Sequence, residues 1–212
     1  MTTAIIDYQS GNLHSAAKSF QRVAAETGAG PILVTSDPEA VARAERIVLP
    51  GVGAFADCRA GLLARDGLFE AIARRVRDEG APFLGICVGM QMLATWGREF
   101  QDTPGFDWIG GEVARLSPED PPCKIPHMGW NALEIAAAHP LLDGIATGDH
   151  AYFVHSYHFV PDDPATLLAR VDHGGSVTAM IAKGNVAGTQ FHPEKSQTTG
   201  LRLIANFLRW TP

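Results

Sequence analysis

The sequence predicts an α/β fold: a mostly parallel sheet with helices on both faces, followed by a β-rich C-terminal half. Three observations carry this. In the first half, short apolar runs alternate with helical patterns. Those runs are continuously apolar rather than alternating, which marks strands covered on both faces. After about residue 110 the pattern changes, and short strand-like segments follow one another with turns between until a closing helix. At 212 residues, 46% of them hydrophobic and 19% charged, the chain suits one globular domain spanning 1–212 better than two with a break near residue 110.

"AIIDY" (4–8) is the first strand and Leu13 to Glu26 the helix after it. "PILVTS" (31–36) is the second strand. "SDPEAVARA" then starts a helix: Ser36 or Asp37 caps it, Pro38 fits its first turn and Glu39 complements its dipole. "RIVLPG" (46–51) is the third strand. One long helix is expected from Ala56 to Asp78, because Leu68, Ile72 and Val76 recur every four residues. "PFLGIC" (82–87) is the fourth strand, with "VGMQMLATW" opening another helix. "CKIPHMGWNALEI", "AYFVHSYHFV", "ATLLARV", "SVTAMIA" and "VAGTQFHPE" are short strands that extend the sheet or pack beside it. "TGLRLIANFLRW" closes the chain as a helix.

The net charge of −6 and the absence of a lysine or arginine tract argue against nucleic-acid binding. No apolar run approaches the roughly 20 residues of a membrane span. The opening "MTTAIIDYQSGNLHS" has no signal-peptide pattern. Three cysteines, Cys58, Cys87 and Cys123, with no export signal suit reduced thiols in the cytoplasm.

Cys87 stands apart. "GICVGMQ" places it between Gly85 and Gly89 where a strand turns into a helix, the thiol version of a nucleophile elbow. The glycines admit close backbone and relieve strain. Unpaired N–H groups at the helix start favour an anion there. A thiol with pKa about 8.5 is only a few per cent ionised at neutral pH, so it needs a base, and the base needs an orienter. In "QFHPE", His192 and Glu194 are two apart and face the same way on extended backbone. Cys58 and Cys123 lack such surroundings and are expected to be inert. His155 and His158 would fall on opposite faces of a strand, and Cys123 with His127 lacks a second pair, so no metal site is expected. His14, His139 and His173 are expected at the surface. Gly51, Gly53 and Ala56 imitate a dinucleotide fingerprint, but no acidic residue closes a following strand; "PGVG" is better taken as a turn offering N–H donors to an oxyanion.

Together these segments resemble the class I, triad-type glutamine amidotransferases, whose fold is flavodoxin-like. Among them the chain is similar to the glutaminase subunits of imidazole glycerol phosphate synthase. "DYQSGNLHS", "LPGVGAF", "GICVGMQML", "IPHMGWN", "YFVHSYH" and "TQFHPEKS" match in order over nearly the whole length. The resemblance implies Cys87 as nucleophile, His192 as base and acid, and Glu194 as orienter. It implies Val52 and Val88 as oxyanion donors, and Gly53, Gln91, Ser156 and Tyr157 as glutamine ligands. It implies no metal and no organic cofactor. It further implies ammonia channelled into a (β/α)8 cyclase partner of histidine biosynthesis, met through Pro126, His127, Met128, Gly129, Trp130 and Lys195. Val88, Gln9 and the insert at 117–124 depart from the usual pattern without touching the triad.

Overall fold

The computed structural model describes residues 1–8, 13–120 and 122–212. Gln9 and the centre of "DYQSGNLHS" lie outside the described residues, as does Pro121 of the insert.

The first half runs β1 (Thr3–Ile6), α1 (Leu13–Thr27), β2 (Ile32–Thr35), α2 (Pro38–Arg43), β3 (Arg46–Gly51), α3 (Phe55–Leu63), α4 (Leu68–Ala73), β4 (Phe83–Cys87) and α5 (Val88–Gln91). The second runs β5 (Trp96–Glu99), β6 (Gln101–Pro104), β7 (Gly111–Arg115), β8 (His127–Ala132), β9 (Glu134–Ile135), β10 (His150–His155), β11 (Tyr157–Pro161), β12 (Leu167–Asp172), β13 (Ser176–Lys183), β14 (Val186–Thr189) and α6 (Gln197–Arg209).

Eight strands form the main sheet in the order β2-β1-β3-β4-β14-β13-β12-β9. The first five are mutually parallel; β13, β12 and β9 extend the sheet antiparallel. The path steps one way from β1 to β2 and the other way from β2 to β3. Right-handed crossovers therefore put α1 and α2 on opposite faces. Phe20 of α1 meets Phe207 of α6 edge to face at 6.4 Å. Two smaller sheets, β10-β8 and β11-β7-β5-β6, complete the second half. The β-rich block thus does both things expected of it. Of the five parallel strands, outer β2 departs from full coverage, leaving Leu33 and Val34 exposed.

Two helices are shorter than their patterns suggest. The stretch from Ala56 to Asp78 is broken by "ARDG" at 64–67, where Gly67 takes φ 74°, a value that L side chains rarely adopt. The apolar face survives the break, with Leu62, Leu68, Ile72 and Val76 all fully buried. Beyond α4 the chain continues through Arg74–Asp78 as a wider, π-helical turn. The helix expected from Val88 stops after one turn. Carbonyls that would extend it are claimed from outside: Phe106 N–H donates to Met92 at 2.7 Å, and Trp108 N–H to Leu93 at 3.0 Å.

Candidate active site

Strands β3, β4 and β14 are neighbours and end at one rim. Gly51 pairs with Cys87, and Ile86 with Thr189. That adjacency brings Val52, Cys87 and His192 together although more than a hundred residues separate the last two.

Cys87 closes β4 with φ 54° and ψ −113°, a strained conformation for a residue with a side chain. Its flanking glycines are dictated by contact. A Cβ on Gly85 would sit 2.3 Å from the Gly89 carbonyl oxygen, and one on Gly89 would sit 1.8 Å from that of Leu49. Both atoms are backbone and cannot step aside. Since α5 has a single turn, its dipole is small.

His192 follows β14. Its Nδ1 lies 2.8 Å from Glu194 Oε1, and both side chains are almost fully buried, 2% and 1% exposed. Nε2 is buried too, and has no hydrogen-bond partner among the described residues. Burial by itself drives the imidazolium down. The neighbouring Cys87 sulfur, and after it Glu194, more than reverse this, holding the His192 pKa at about 10. The imidazole is thus oriented at one nitrogen and open at the other, in the cavity that holds Cys87. The backbone of His192 is clamped as well: its N–H donates to the Tyr152 carbonyl at 3.0 Å. Ser196 Oγ donates to the His192 carbonyl at 2.7 Å and accepts from Tyr152 N–H at 3.0 Å.

The cavity has a volume of about 360 Å³, room for one amino acid. Val52, Gly53, Val88, Gln91, Ser156 and Tyr157 all line it with Cys87 and His192. Gln91 Nε2 donates to the Tyr157 carbonyl at 2.9 Å and to Gln190 Oε1 at 3.0 Å. Two acceptors fix the amide's orientation and leave its oxygen for a ligand. Gln190 Nε2 in turn reaches Cys87 Sγ at 3.6 Å.

Sequence reasoning missed Gln190 and Glu99. Glu99 comes from β5, lines the cavity, and accepts from Phe55 N–H at 2.8 Å. No spacing links it to Cys87; only the pairing of the small sheet places it there. Gln190 was visible two residues before His192, inside a motif read for its other members.

The segment expected to meet a partner divides. Met128 and Trp130 are exposed, 63% and 47%, so they are not core residues. Trp130 stands edge-on to Tyr152 at 5.8 Å, and Lys195 Nζ lies 5.7 Å from the same ring. Gly129 lies between them on β8, while Pro126 borders the cavity. His127 differs from its exposed neighbours. Alternation along β8 turns it inward, 4% exposed, away from the surface that Met128 and Trp130 share.

All three cysteines are free. Cys58 is buried, its thiol donates to Tyr8 Oη at 3.0 Å, and burial pushes its pKa up to about 12, so it is inert. His155 and His158 fall in different sheets. His173 is half-buried and stacks on His127 at 4.1 Å. Among the described residues, no three His, Cys, Asp or Glu side chains are grouped to hold a metal ion.

The chain has clear relatives among known proteins. The sequence model of the family described as glutamine amidotransferase class-I matches residues 4–210. The chain is 60% identical over 212 residues, all of both chains, to imidazole glycerol phosphate synthase subunit HisH of Ruegeria pomeroyi. It is 61% identical to the same subunit of Rhodospirillum rubrum, again over the full length of each. Among solved structures, it is similar to a glutamine amidotransferase with TM-score 0.73 at 19% identity, covering 97% of each chain. It is also similar to PurLQS of Thermotoga maritima, with TM-score 0.70 at 19% identity, over 98% of this chain and 97% of that one. At such identities these structures speak for the fold alone.

Proposed function

The chain belongs to the class-I glutamine amidotransferase family, and from that premise we propose that it is the glutaminase subunit of an imidazole glycerol phosphate synthase, serving histidine biosynthesis. Residues 1–212 act as one amidotransferase domain. The observation that carries the chemistry is the pairing of an oriented, buried imidazole, free at Nε2, with a thiol on a strained elbow in one amino-acid-sized cavity.

Glutamine enters with its side-chain amide over Cys87. Gln91 Oε1, Ser156, Tyr157 and Gly53 hold it, and the Glu99 carboxylate suits its α-ammonium. Cys87 Sγ, as thiolate, attacks the amide carbon. The negative oxygen that forms is met by N–H groups of Val52 and Val88, a contribution of several kcal/mol where water is excluded. His192 Nε2 gives its proton to the departing nitrogen, the C–N bond breaks, and a glutamyl thioester remains. His192 then takes a proton from water, whose oxygen attacks the thioester, releasing glutamate and restoring the thiolate. Water and glutamine become glutamate and ammonia, and the triad is unchanged.

Free ammonia in neutral water is mostly protonated and no longer nucleophilic, so it must be delivered directly. A partner subunit follows from the kinship with HisH. We assign it as a (β/α)8 cyclase docking on Met128, Trp130 and Lys195 around Tyr152, forming a heterodimer. No described helix is long and apolar enough to cross a membrane; a cytoplasmic setting fits the reduced thiols.

The test is glutamate release from glutamine by the purified chain, alone and with the cyclase subunit and its nucleotide, against Cys87→Ala. Stimulated release that disappears in the mutant supports the reading. Release that persists without Cys87 refutes the mechanism, and equal rates with and without the partner refute the coupling.

A further inference from the structure

Two buried histidines, His127 and His155, have no step in this chemistry, yet one string of hydrogen bonds runs through both. His155 Nδ1 lies 2.9 Å from the Tyr157 carbonyl oxygen. A carbonyl only accepts, so Nδ1 carries the proton. In a neutral ring Nε2 is then the acceptor, and it lies 2.9 Å from His127 Nδ1, which must donate. His127 Nε2 accepts in turn from Asn131 Nδ2 at 3.2 Å. Asn131 Nδ2 also donates to the Asp172 carbonyl at 2.8 Å, and Asn131 Oδ1 accepts from Ala132 N–H at 2.8 Å. One carbonyl at the end of the string thus dictates both tautomers. A second proton on either ring would set two N–H groups against each other. Burial also favours neutral rings, with stacking of His127 on Phe153 at 4.7 Å and on His173 at 4.1 Å.

The carbonyl that receives this string also receives Gln91 Nε2, and through Gln91 and Gln190 the bonds continue to Cys87. Tyr157 is the first residue of β11, just beyond the break at Ser156; it pairs opposite Arg115 of β7 and has no pairing with β10. We propose that His155, and His127 behind it, are positioning residues for glutamine hydrolysis: the proton-ordered string aims the Tyr157 carbonyl, which sets the Gln91 amide so that its oxygen meets substrate. This rests on the glutaminase reading above. It assigns a function to the inward residue of the segment whose outward residues face the partner.

Two variants separate positioning from simple support. His155→Leu removes both links; His155→Asn keeps a donor in reach of the Tyr157 carbonyl. Turnover is measured in the assembled enzyme. Cys87 alkylation is measured with iodoacetamide, which has no use for Gln91, and with a chloroketone of glutamine's shape. In His155→Leu, kcat/KM for glutamine and labelling by the chloroketone fall about tenfold, mainly through KM, the factor that 1.4 kcal/mol represents. Iodoacetamide labelling stays within about twofold, and His155→Asn recovers most of the loss. Unchanged kcat/KM, an equal fall with both reagents, or an Asn variant no better than Leu overturns the proposal. Should the Leu variant not fold, ¹⁵N resonances of the wild-type imidazoles decide: the proton on Nδ1 in both rings supports the string, and on Nε2 in either overturns it. Wild type inactive on glutamine with its partner would instead refute the functional reading, and is scored separately.

Discussion

Replacing Glu194 with glutamine keeps the shape of the triad and removes one charge. The His192–Glu194 contact is 2.8 Å between side chains only 2% and 1% exposed, so solvent hardly screens it. A hydrogen bond to an ionised acceptor contributes about 1.5–3 kcal/mol, against about 0.5–1.5 for a neutral one. The difference withdrawn from the imidazolium is therefore about 1.4 kcal/mol, or about one pKa unit. The His192 value of about 10 was lifted against burial by Cys87 first and Glu194 second, so losing Glu194 lowers it without restoring an ordinary histidine. The assay is initial-rate glutamate release from pH 7 to 11 in the assembled enzyme. Wild type holds its plateau until the imidazolium loses its proton near pH 10. In Glu194→Gln the alkaline limb moves to about pH 9, and the plateau falls by about tenfold as the ion pair loses the same free energy. An alkaline limb at the same pH in both proteins would refute the argument that Glu194 supports the charged form of His192.

Three further outcomes follow. Gly89→Ala forces a Cβ to within 1.8 Å of the Leu49 carbonyl oxygen; overpacking of about 3 kcal/mol should lower the melting temperature by several degrees and abolish labelling by a glutamine-shaped electrophile, and a normal melt with normal labelling would refute the close-approach account. Trp130→Ala removes an exposed aromatic set against Tyr152; partner affinity should fall about thirtyfold or more, a loss of about 2 kcal/mol, with partner-free Cys87 alkylation unchanged, and full affinity would remove Trp130 from the interface. Burial holds the pKa of His127 at about 4 and of His155 at about 3, below the unfolded value of about 6.5. The unfolded chain therefore binds protons first as pH falls, so stability is full above about 6.5 and is lost on the way down toward about 4 and then 3. Melting curves should show a shallower acid loss in His155→Asn than in wild type; equal slopes would refute the assignment.

What the sequence could show depended on how local each constraint was. Continuous apolar runs marked the parallel strands, because burial on both faces is a property of each strand by itself. Glycines two residues either side of Cys87 marked the elbow: the Cβ forbidden at Gly85 is set within its own strand–turn–helix unit by the Gly89 carbonyl, and the one forbidden at Gly89 by Leu49 of neighbouring β3. The helix ends were lost for the opposite reason. Leu68, Ile72 and Val76 keep helical spacing whether or not Gly67 interrupts the helix, and α5 stops because residues 106–109 return to take the carbonyls of Met92, Leu93 and Ala94 just beyond it.

Within the site the same division decides which residues a pattern can find. His192 and Glu194 are two apart on one extended segment, so their partnership is written in the chain; that they meet Cys87 follows from β14 lying beside β4, which no local spacing states. Glu99 enters from a separate sheet. His127 and His155 are 28 residues apart, and each alone looks like an ordinary polar residue on a strand. Their pairing exists because β8 and β10 run antiparallel with His127 opposite His155 in register. A shift of one residue in that register would turn the whole inward set outward, separating the string from Tyr157 and burying Met128 and Trp130 in place of His127. The pairing that exposes Met128 and Trp130 is therefore the same one that assembles the string toward Gln91, so a change that moves β8 against β10 disturbs both faces at once.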